Sequence, residues 1–484
     1  MKTFLLSLTT LATAATAIAA LPSVGPDYQR PDAPASSAYR DSVPAASVAL
    51  TADWWRAFND PALDALETRA LAANQNLRAA LARVEQARAL TGTARSAYLP
   101  TIIADPSLTR ERTSRTVDNA TPDSTTTTHR LSLDFAWELD LFGRVRRLNE
   151  SARADLDSAG ATFAAARLSL TAEVAATHFT LRALDRELGI VTQTTVVRRD
   201  ALKLVQSRSR QGTADDVDLA RAETELATTE ADAAALAIRR SSAQNALAVL
   251  LGEPASSFIA TAPASESGSA SDSSLSALSS QLLLPEIPAG LPGDLLTRRP
   301  DIAAAERTLA AASARIGVAK SGFFPTIALT GAAGYASADV SDLVRPDSRL
   351  WSFGPSIYLP LFQGGRNRAS LARSRAAYDE AAAGYQQSVL NAIREVQDAL
   401  TATRLLGDQA AAQARAVASA QRGAVLSQKR YDAGFVSYFE VVDAQRTALA
   451  VERADAQLAG QRWITRVALI KALGGGWQQP SSAM

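Results

Sequence analysis

Apolar residues recur along the chain with two different spacings, one of two residues and one of about 3.6 residues. In the segment HRLSLDFAWELDLF, apolar residues alternate with polar or small ones; they are Leu131, Leu133, Phe135, Trp137, Leu139 and Leu141. A period of two predicts a strand with one apolar and one polar, acidic face. From Arg144 to about Arg210 the apolar residues recur about every 3.6 positions, which predicts one long helix that no proline interrupts.

The alternating strand has the length of a tilted transmembrane strand, with apolar residues toward lipid and polar residues toward a watery lumen. A half-buried strand of a soluble sheet explains this segment equally well. A weaker strand is predicted at residues 101 to about 112, joined to the first by a polar loop. Before it, a helical region starts at Asp60-Pro61 and extends to about Ala97.

This pattern occurs twice. A turn at Gly212 and a helix ending at Leu251-Gly252 follow the first long helix, and the same order follows a second long helix from about Gly365 to Tyr431. Gly434 repeats Gly212 after 222 positions, and Leu473-Gly474 repeats Leu251-Gly252 after 222. Recurrence at one offset indicates an internal duplication. Each half reads helix, two strands, long helix, turn, helix.

The duplication sets the predicted domain boundaries. Residues 51–254 and 291–476 form the two repeats, separated by a linker at 255–290 rich in Ser, Ala and Pro. Residues 20–50 form an extended N-terminal segment, and 477–484 a C-terminal tail. Residues 1–19 have the pattern of a signal peptide: Lys2, an apolar run and a small-residue cleavage site at Ala17-Ile18-Ala19.

The second turn, RYDAGFVSYFEVVDAQR, combines aromatic and acidic residues. Gly434 reverses the chain, and Ser437 with Glu440 has the spacing of a capping box. Phe439 and Asp443 are four residues apart and share a helix face. The segment is therefore either a well-capped helical hairpin or a gate.

Composition excludes several classes of function. The formal net charge is +1, so neither nucleic acid nor an acidic membrane surface is implied as a partner. No cofactor is expected. The chain has no cysteine and two isolated histidines, His129 and His178, which are expected to be structural; no metal site is predicted. The sequence contains no nucleophile–base–acid set and no phosphate-binding loop, so an enzyme is not expected.

Strand number points to an oligomer. No window has the uninterrupted apolar length of a spanning helix, so any membrane insertion must use strands. Four strands per chain cannot close a barrel. Two chains give eight strands with little pore, whereas three give twelve and a real lumen. The predicted fold class is therefore an α+β membrane protein, a trimeric duct with a twelve-stranded β-barrel and a long helical portion.

Several motifs resemble the TolC-like outer-membrane efflux factors. They are VGPDYQRP at 24–31, WW..F.D..L at 54–63, FAWELDLFGRVRR at 135–147, LLTRRPDI..AE..L.AA.A.IGVAK...FP at 295–325, PLF.GGR at 360–366, RY..G..SY.EV.DAQR at 430–446 and LGGGW at 473–477. The resemblance covers nearly the whole chain after the signal segment. It implies a homotrimer in the outer membrane, in contact with outer-membrane lipid and with a large periplasmic portion. It also implies two partners, a periplasmic adaptor (membrane fusion) protein and an inner-membrane pump.

The same resemblance assigns roles to residues of the two turns. A channel gate falls on Phe439, Glu440 and Asp443, and a tip lock on Asp218 and Tyr431. Adaptor docking falls on Gly212, Thr213, Gly434 and Phe435. Val436 stands where some relatives have a latch arginine, so that latch is not expected.

Many relatives carry a lipid-modified cysteine just before VGPDY, where this chain has Pro22-Ser23, so no lipid anchor is expected. The implied function is the exit duct of a tripartite efflux pump that passively conducts drugs, toxic compounds or metal ions. The alternatives are a type I secretion exit duct and a secreted helical scaffold protein.

Overall fold

A computed structural model describes residues 23–32, 39–40, 51–114, 116, 125–212, 215–258, 293 and 295–479. Its helices are α1 (Pro61–Ala73), α2 (Gln75–Ser96), α3 (Arg144–Arg210), α4 (Asp216–Leu250), α5 (Leu295–Arg298), α6 (Pro300–Ser321), α7 (Arg366–Asp432) and α8 (Tyr438–Ala472). The strands are β1 (Thr101–Arg112), β2 (Thr125–Leu139), β3 (Thr326–Ser337) and β4 (Arg349–Tyr358). Short 3₁₀ helices lie at Trp54–Phe58, Val340–Asp342 and Pro346–Ser348. The predicted signal segment, residues 1–19, and nearly all of the linker lie outside the described residues.

The long helices recur with the predicted offset. Helices α3 and α7 have 67 residues each, and α4 and α8 have 35 each. All four are followed by glycines with positive φ, at Gly212, Gly252, Gly434 and Gly474. The left-handed region costs glycine little, so a sequence that repeats glycine at these points ends its helices in the same way. The two long helices predicted from the 3.6-residue period are confirmed, while the domain boundaries remain a prediction.

The four strands form one antiparallel sheet in the order β1-β2-β3-β4. Its register places apolar residues of neighbouring strands in rows on one face: Phe353 pairs with Gly331, Gly331 with Phe135, and Phe135 with Ile102. A Cβ atom on Gly331 would lie 3.1 Å from the Phe353 ring, so the glycine makes room for that ring. The opposite face carries Asp105 and Asp134. The sheet is therefore amphipathic, as the period of two predicts.

Both alternating segments end as strands earlier than the sequence predicts. Strand β2 ends at Leu139 because both carboxylate oxygens of Asp140 accept backbone N–H groups at the start of α3, at 3.0 Å from Val145 and 2.9 Å from Arg146. Strand β4 ends at Tyr358. Pro360 follows two residues later and has no N–H to extend the ladder. Leu141 and Leu361 therefore lie beyond the sheet.

The first helical region is two helices. At Asn74 the side-chain Oδ1 accepts the Leu77 N–H at 2.9 Å, and the Nδ2 donates to the carbonyl of Leu250 at 2.9 Å. Asparagine competes well with a continuing helix for backbone hydrogen bonds, so it starts α2. The helix start predicted at Asp60-Pro61 is confirmed, since the Asp60 carboxylate accepts the N–H of Ala62 at 2.9 Å.

The chain divides into two compact units. The first spans Met1–Asp32, Arg83–Gly160 and Ala304–Gln387 and contains the sheet. Below the sheet, Asn149 is buried and donates to the carbonyl of Ala94 at 2.8 Å. Buried alanines of α3 and α6 (Ala154, Ala310 and Ala311) pack here at close range. Small side chains let helices approach closely.

The second unit spans Ala33–Ala82, Ala161–Ala303 and Ser388–Met484. Its largest cluster joins the WW motif to the middle of α3 and the end of α8; it comprises Trp54, Trp55, Phe58, Leu63, Ala172, Ala175, Phe179, Val467 and Ile470. His178 is buried here and lies 2.8 Å from the Asp60 carboxylate, which also lies 3.5 Å from Arg182. Among the described helices, none is both long and apolar enough to cross a membrane.

Candidate functional site

The turn between α7 and α8 has a fully formed helix-ending motif. The Phe435 N–H donates to the carbonyl of Arg430 at 2.9 Å, and the Gly434 N–H donates to that of Tyr431 at 2.9 Å. With φ of +76° at Gly434, this is the Schellman arrangement. Because the turn is closed by its own backbone, its side chains are left for other contacts. Phe435 is 79% exposed.

The predicted capping box at Ser437 is wrong. Ser437 is the residue before α8, but its side chain makes no capping hydrogen bond; its backbone carbonyl accepts the Glu440 N–H at 3.2 Å. The Glu440 carboxylate instead lies 3.7 Å from the Arg430 guanidinium across the turn. A cation within reach of the tight turn attracts the carboxylate more strongly than a neutral N–H does. Both side chains are exposed, so the pair contributes little stability.

The first turns of α8 separate a buried face from an exposed one. Tyr438, Val441 and Val442 are buried against α3 and α4, in a cluster with Val205 and Ala222. The predicted gate residues Phe439, Glu440 and Asp443 all lie on the exposed face. All three therefore lie on the exposed side of one helix, and Phe439 and Asp443 share a face, as their four-residue spacing predicts.

Phe439 contacts the neighbouring hairpin. The Arg221 guanidinium of α4 lies 5.1 Å from the centre of the Phe439 ring. Arg221 also lies 3.7 Å from Asp218, three residues earlier on the same helix. A guanidinium over an aromatic face is attractive, so Arg221 joins the two hairpins at this level.

The predicted lock residues Asp218 and Tyr431 have different partners. The Tyr431 hydroxyl accepts a hydrogen bond of 2.6 Å from Arg208 of α3, whose guanidinium lies 5.0 Å from the Tyr431 ring centre. The Tyr431 ring also lies 5.7 Å from that of Tyr438. Asp218 and Tyr431 form no hydrogen bond with each other within the described part of the chain. Burial, and the nearby Tyr431 hydroxyl, raise the pKa of Tyr438.

A buried ion cluster lies one to two turns above the gate residues. The Arg198 guanidinium of α3 lies 2.9 Å from the Glu225 carboxylate of α4, and both side chains are more than nine-tenths buried. Arg446 of α8 binds the same carboxylate. Burial lowers the pKa of Arg198, whereas the hydrogen bond to Glu225 raises that of Arg446, which Asp443 also attracts. Glu225 therefore ties α8, three residues beyond Asp443, to α3 and α4.

Sequence reasoning missed this cluster and the two arginines at the tip. The sequence carried one signal of a buried charge. Glu225 lies three residues after Ala222 and four before Thr229, so all three share one face of α4, and that face is buried. A carboxylate on an apolar face indicates a buried partner. Nothing in the sequence selects Arg198 or Arg446 as that partner.

Three of the four predicted docking residues lie at the two turns that the structure describes. Gly212 and Gly434 end their helices and are exposed, Phe435 is the most exposed aromatic residue of its turn, and Thr213 lies outside the described residues. Within the part of the chain that the structure describes, no group of three or more His, Asp or Glu residues could hold a metal ion.

Comparison with known proteins identifies the family. The family model described as "Outer membrane efflux protein" matches residues 66–253 and 291–475. The chain belongs to the outer membrane efflux protein family. It is 34% identical over 465 residues to the outer membrane protein OprJ of Pseudomonas aeruginosa, covering 95% of this chain and 94% of OprJ.

Two further comparisons extend this result. The cation efflux system protein CusC of Escherichia coli is 33% identical over 465 residues, covering 94% of this chain and 96% of CusC. The solved structure of the outer-membrane channel OprN superimposes with a TM-score of 0.84 at 32% identity, over 94% of this chain and 100% of that chain. The chain is therefore an outer-membrane efflux channel of the TolC-like α+β, trimeric class. Channels of this family are not enzymes.

Proposed function

We propose that this chain is the exit duct of a tripartite efflux pump, and that it passively conducts small molecules from a periplasmic adaptor and an inner-membrane pump to the exterior. In this proposal, the four-stranded sheets of three chains close on one another, with the apolar rows toward lipid and the acidic face inward. Energy comes from the pump. The duct itself supplies a path and a gate.

The observation that carries the gate is the exposed face of α8. Phe439 is 51% exposed and Asp443 is exposed, while the opposite face of the same helical turns is buried. In a trimer, the exposed face would bring three copies of Phe439 and Asp443 around one axis. Carboxylates close together repel one another and hold water, so such a ring favours cations over anions.

The contacts of the tip suggest how the gate is held. The two arginine contacts, Arg208 with Tyr431 and Arg221 with Phe439, join the two hairpins. We assign Tyr431 and Asp218 to the lock through these two arginines. The exposed residues Gly212, Gly434 and Phe435, together with Thr213 of the same loop in sequence, then remain for the adaptor.

The exported substrate is proposed only as a chemical class. OprJ is named as an outer membrane protein and CusC as part of a cation efflux system. We propose that the pump selects the cargo and that the duct accepts small molecules or metal ions accordingly.

The test is the conductance of the purified full-length protein in planar bilayers. Asp443→Ala removes side-chain volume at the constriction and the attraction to Arg446, so resting conductance should rise and cation preference should fall. Asp432→Ala, which removes an exposed acid at the same tip, should leave both unchanged. Unchanged resting conductance in Asp443→Ala refutes the gate role of this residue.

A further inference from the structure

A polar cavity lies in the first unit, where α3 leaves the sheet. Its volume is about 410 Å³. Its lining includes Tyr98, which precedes β1, and Arg307 of α6. Ala154 of α3 and Ala310 of α6, both buried, also line it. The cavity is thus a pocket lined mainly by α3 and α6.

Most charges around this cavity are already neutralised by partners. Arg307 binds the Glu306 carboxylate, which also accepts the Tyr28 hydroxyl at 2.6 Å. Glu150 is paired with Arg147 at 2.7 Å. These groups shape the wall and add little net charge.

Two lining charges have no such partner. Within the described residues, neither Arg153 nor Asp157 forms an ion pair or a hydrogen bond, although both line the cavity. They are four residues apart on α3, so they lie on one face, with Asp157 about 6 Å further along the axis. The cavity therefore presents one cation and one anion that have no salt-bridge partner among the described residues, one after the other along the helix.

Their electrostatic neighbours show which end each charge occupies. Burial and the Asp140 carboxylate raise the pKa of Tyr98, while the Arg153 and Arg146 guanidinium groups lower it, so both cations lie near that phenol. Burial raises the pKa of Asp157, which the Arg307 guanidinium lowers and the Glu306 carboxylate raises. The cationic end is therefore nearest the sheet, and the Asp157 end is one helical turn away from it.

We propose that this cavity binds the headgroup of a zwitterionic phospholipid, with the phosphate at Arg153 and the primary ammonium at Asp157. The inference rests on the proposed function, in which the sheet spans the outer membrane. A lipid of the periplasmic leaflet then presents its phosphate toward the sheet and its amine away from it, which is the order of the two free charges. Leu99, 67% exposed beside Tyr98, offers apolar surface to the acyl chains.

Charge complementarity decides between lipid classes. Arginine binds phosphate oxygens through a planar pair of donors. An anionic headgroup without an amine leaves Asp157 facing a negative charge, and free inorganic phosphate makes no use of Asp157 or Leu99. The site therefore selects a lipid that carries both charges.

The experiment is native mass spectrometry of the full-length protein in detergent, titrated with dioleoyl phosphatidylethanolamine, with dioleoyl phosphatidylglycerol and with inorganic phosphate. The ethanolamine lipid should bind best. Arg153→Gln should weaken its binding about tenfold, the loss typical of one charge-assisted contact. Asp157→Asn should weaken binding of the ethanolamine lipid but not of the glycerol lipid.

Arg83→Gln is the matched control, since Arg83 is an exposed arginine of the same unit with no ion pair among the described residues. It should leave lipid binding unchanged. Equal binding of both lipids by the unaltered protein, displacement by phosphate at equal concentration, or loss in Arg83→Gln equal to that in Arg153→Gln overturns the proposal. The bilayer conductance of Arg153→Gln distinguishes a failure of the lipid site from a failure of the proposed duct function. Conductance should persist in this variant, because only the lipid site is lost.

Discussion

Glu67 of α1 provides the sharpest test of the packing described here. Its side chain is fully buried, and among the described residues neither carboxylate oxygen has a hydrogen-bond partner. Burial, followed by the nearby charge of Asp64, raises the pKa of Glu67 from 4.5 to about 9. An ionised carboxylate without a partner is costly in an apolar environment, so the folded protein holds Glu67 in its neutral form.

Because of this raised pKa, the contribution of Glu67 to the free energy of unfolding depends on pH. The folded state holds the proton more tightly than the unfolded state, so the associated stability is complete below pH 4.5 and is lost as pH rises through the folded pKa of about 9. At pH 7, the loss is about 3 kcal/mol, since each pKa unit corresponds to roughly 1.4 kcal/mol. Glutamine has nearly the same shape and does not ionise. Glu67→Gln should therefore raise the free energy of unfolding by about 3 kcal/mol at pH 7, relative to the unaltered protein. At pH 4.5 it should bring no such increase.

The assay is guanidinium unfolding in detergent at several pH values, followed by tryptophan fluorescence. Trp54 and Trp55 lie in the largest core cluster of the same unit, so they report its unfolding. Glu223→Gln, which alters an exposed carboxylate of α4, is the control and should change nothing at any pH. A difference between Glu67→Gln and the unaltered protein that does not vary with pH would refute the reasoning.

Two further predictions concern buried charges. Glu225→Gln leaves Arg198 buried without its counter-charge, so it should lower the free energy of unfolding by about 3 kcal/mol and raise resting conductance by loosening α8; equal stability would contradict this. Burial is the largest single effect and raises the pKa of Asp60, but His178, Arg182 and the Leu63 N–H together outweigh it and lower that pKa from 3.8 to about 2. That stability is present above pH 3.8 and lost as pH falls through 2, so Asp60→Asn should cost about 2 kcal/mol at pH 7, and the cost should shrink in acid. A cost that stays constant on acidification would exclude this origin.

Periodicity predicted the elements well because each depends on local rules. The change from a period of two to one of 3.6 near Arg144 marks the change from strand to helix, and glycines such as Gly434 mark the helix ends. The motifs led to the family, which the comparisons confirm. The gate, lock and docking roles assigned through the resemblance remain predictions.

Local patterns failed where a side chain chose a partner far away in sequence. Asp140 continues the alternating pattern but caps α3 instead, and Ser437 has the spacing of a capping box while Glu440 turns to Arg430. Periodicity cannot weigh such competing partners, because their distances are fixed only when the chain has folded.

By itself, the sequence determined the duplication, the long helices, the amphipathic strands and the residue types of the tip. The tertiary structure decided which charges are buried and what they meet. Within the described ranges, Glu67 has no hydrogen-bond partner, Glu225 lies between two arginines, and Arg153 and Asp157 line one cavity without a salt bridge. The physical reason is that hydrophobic period is a property of neighbours along the chain. Desolvation and ion pairing depend instead on neighbours in space, often hundreds of residues apart.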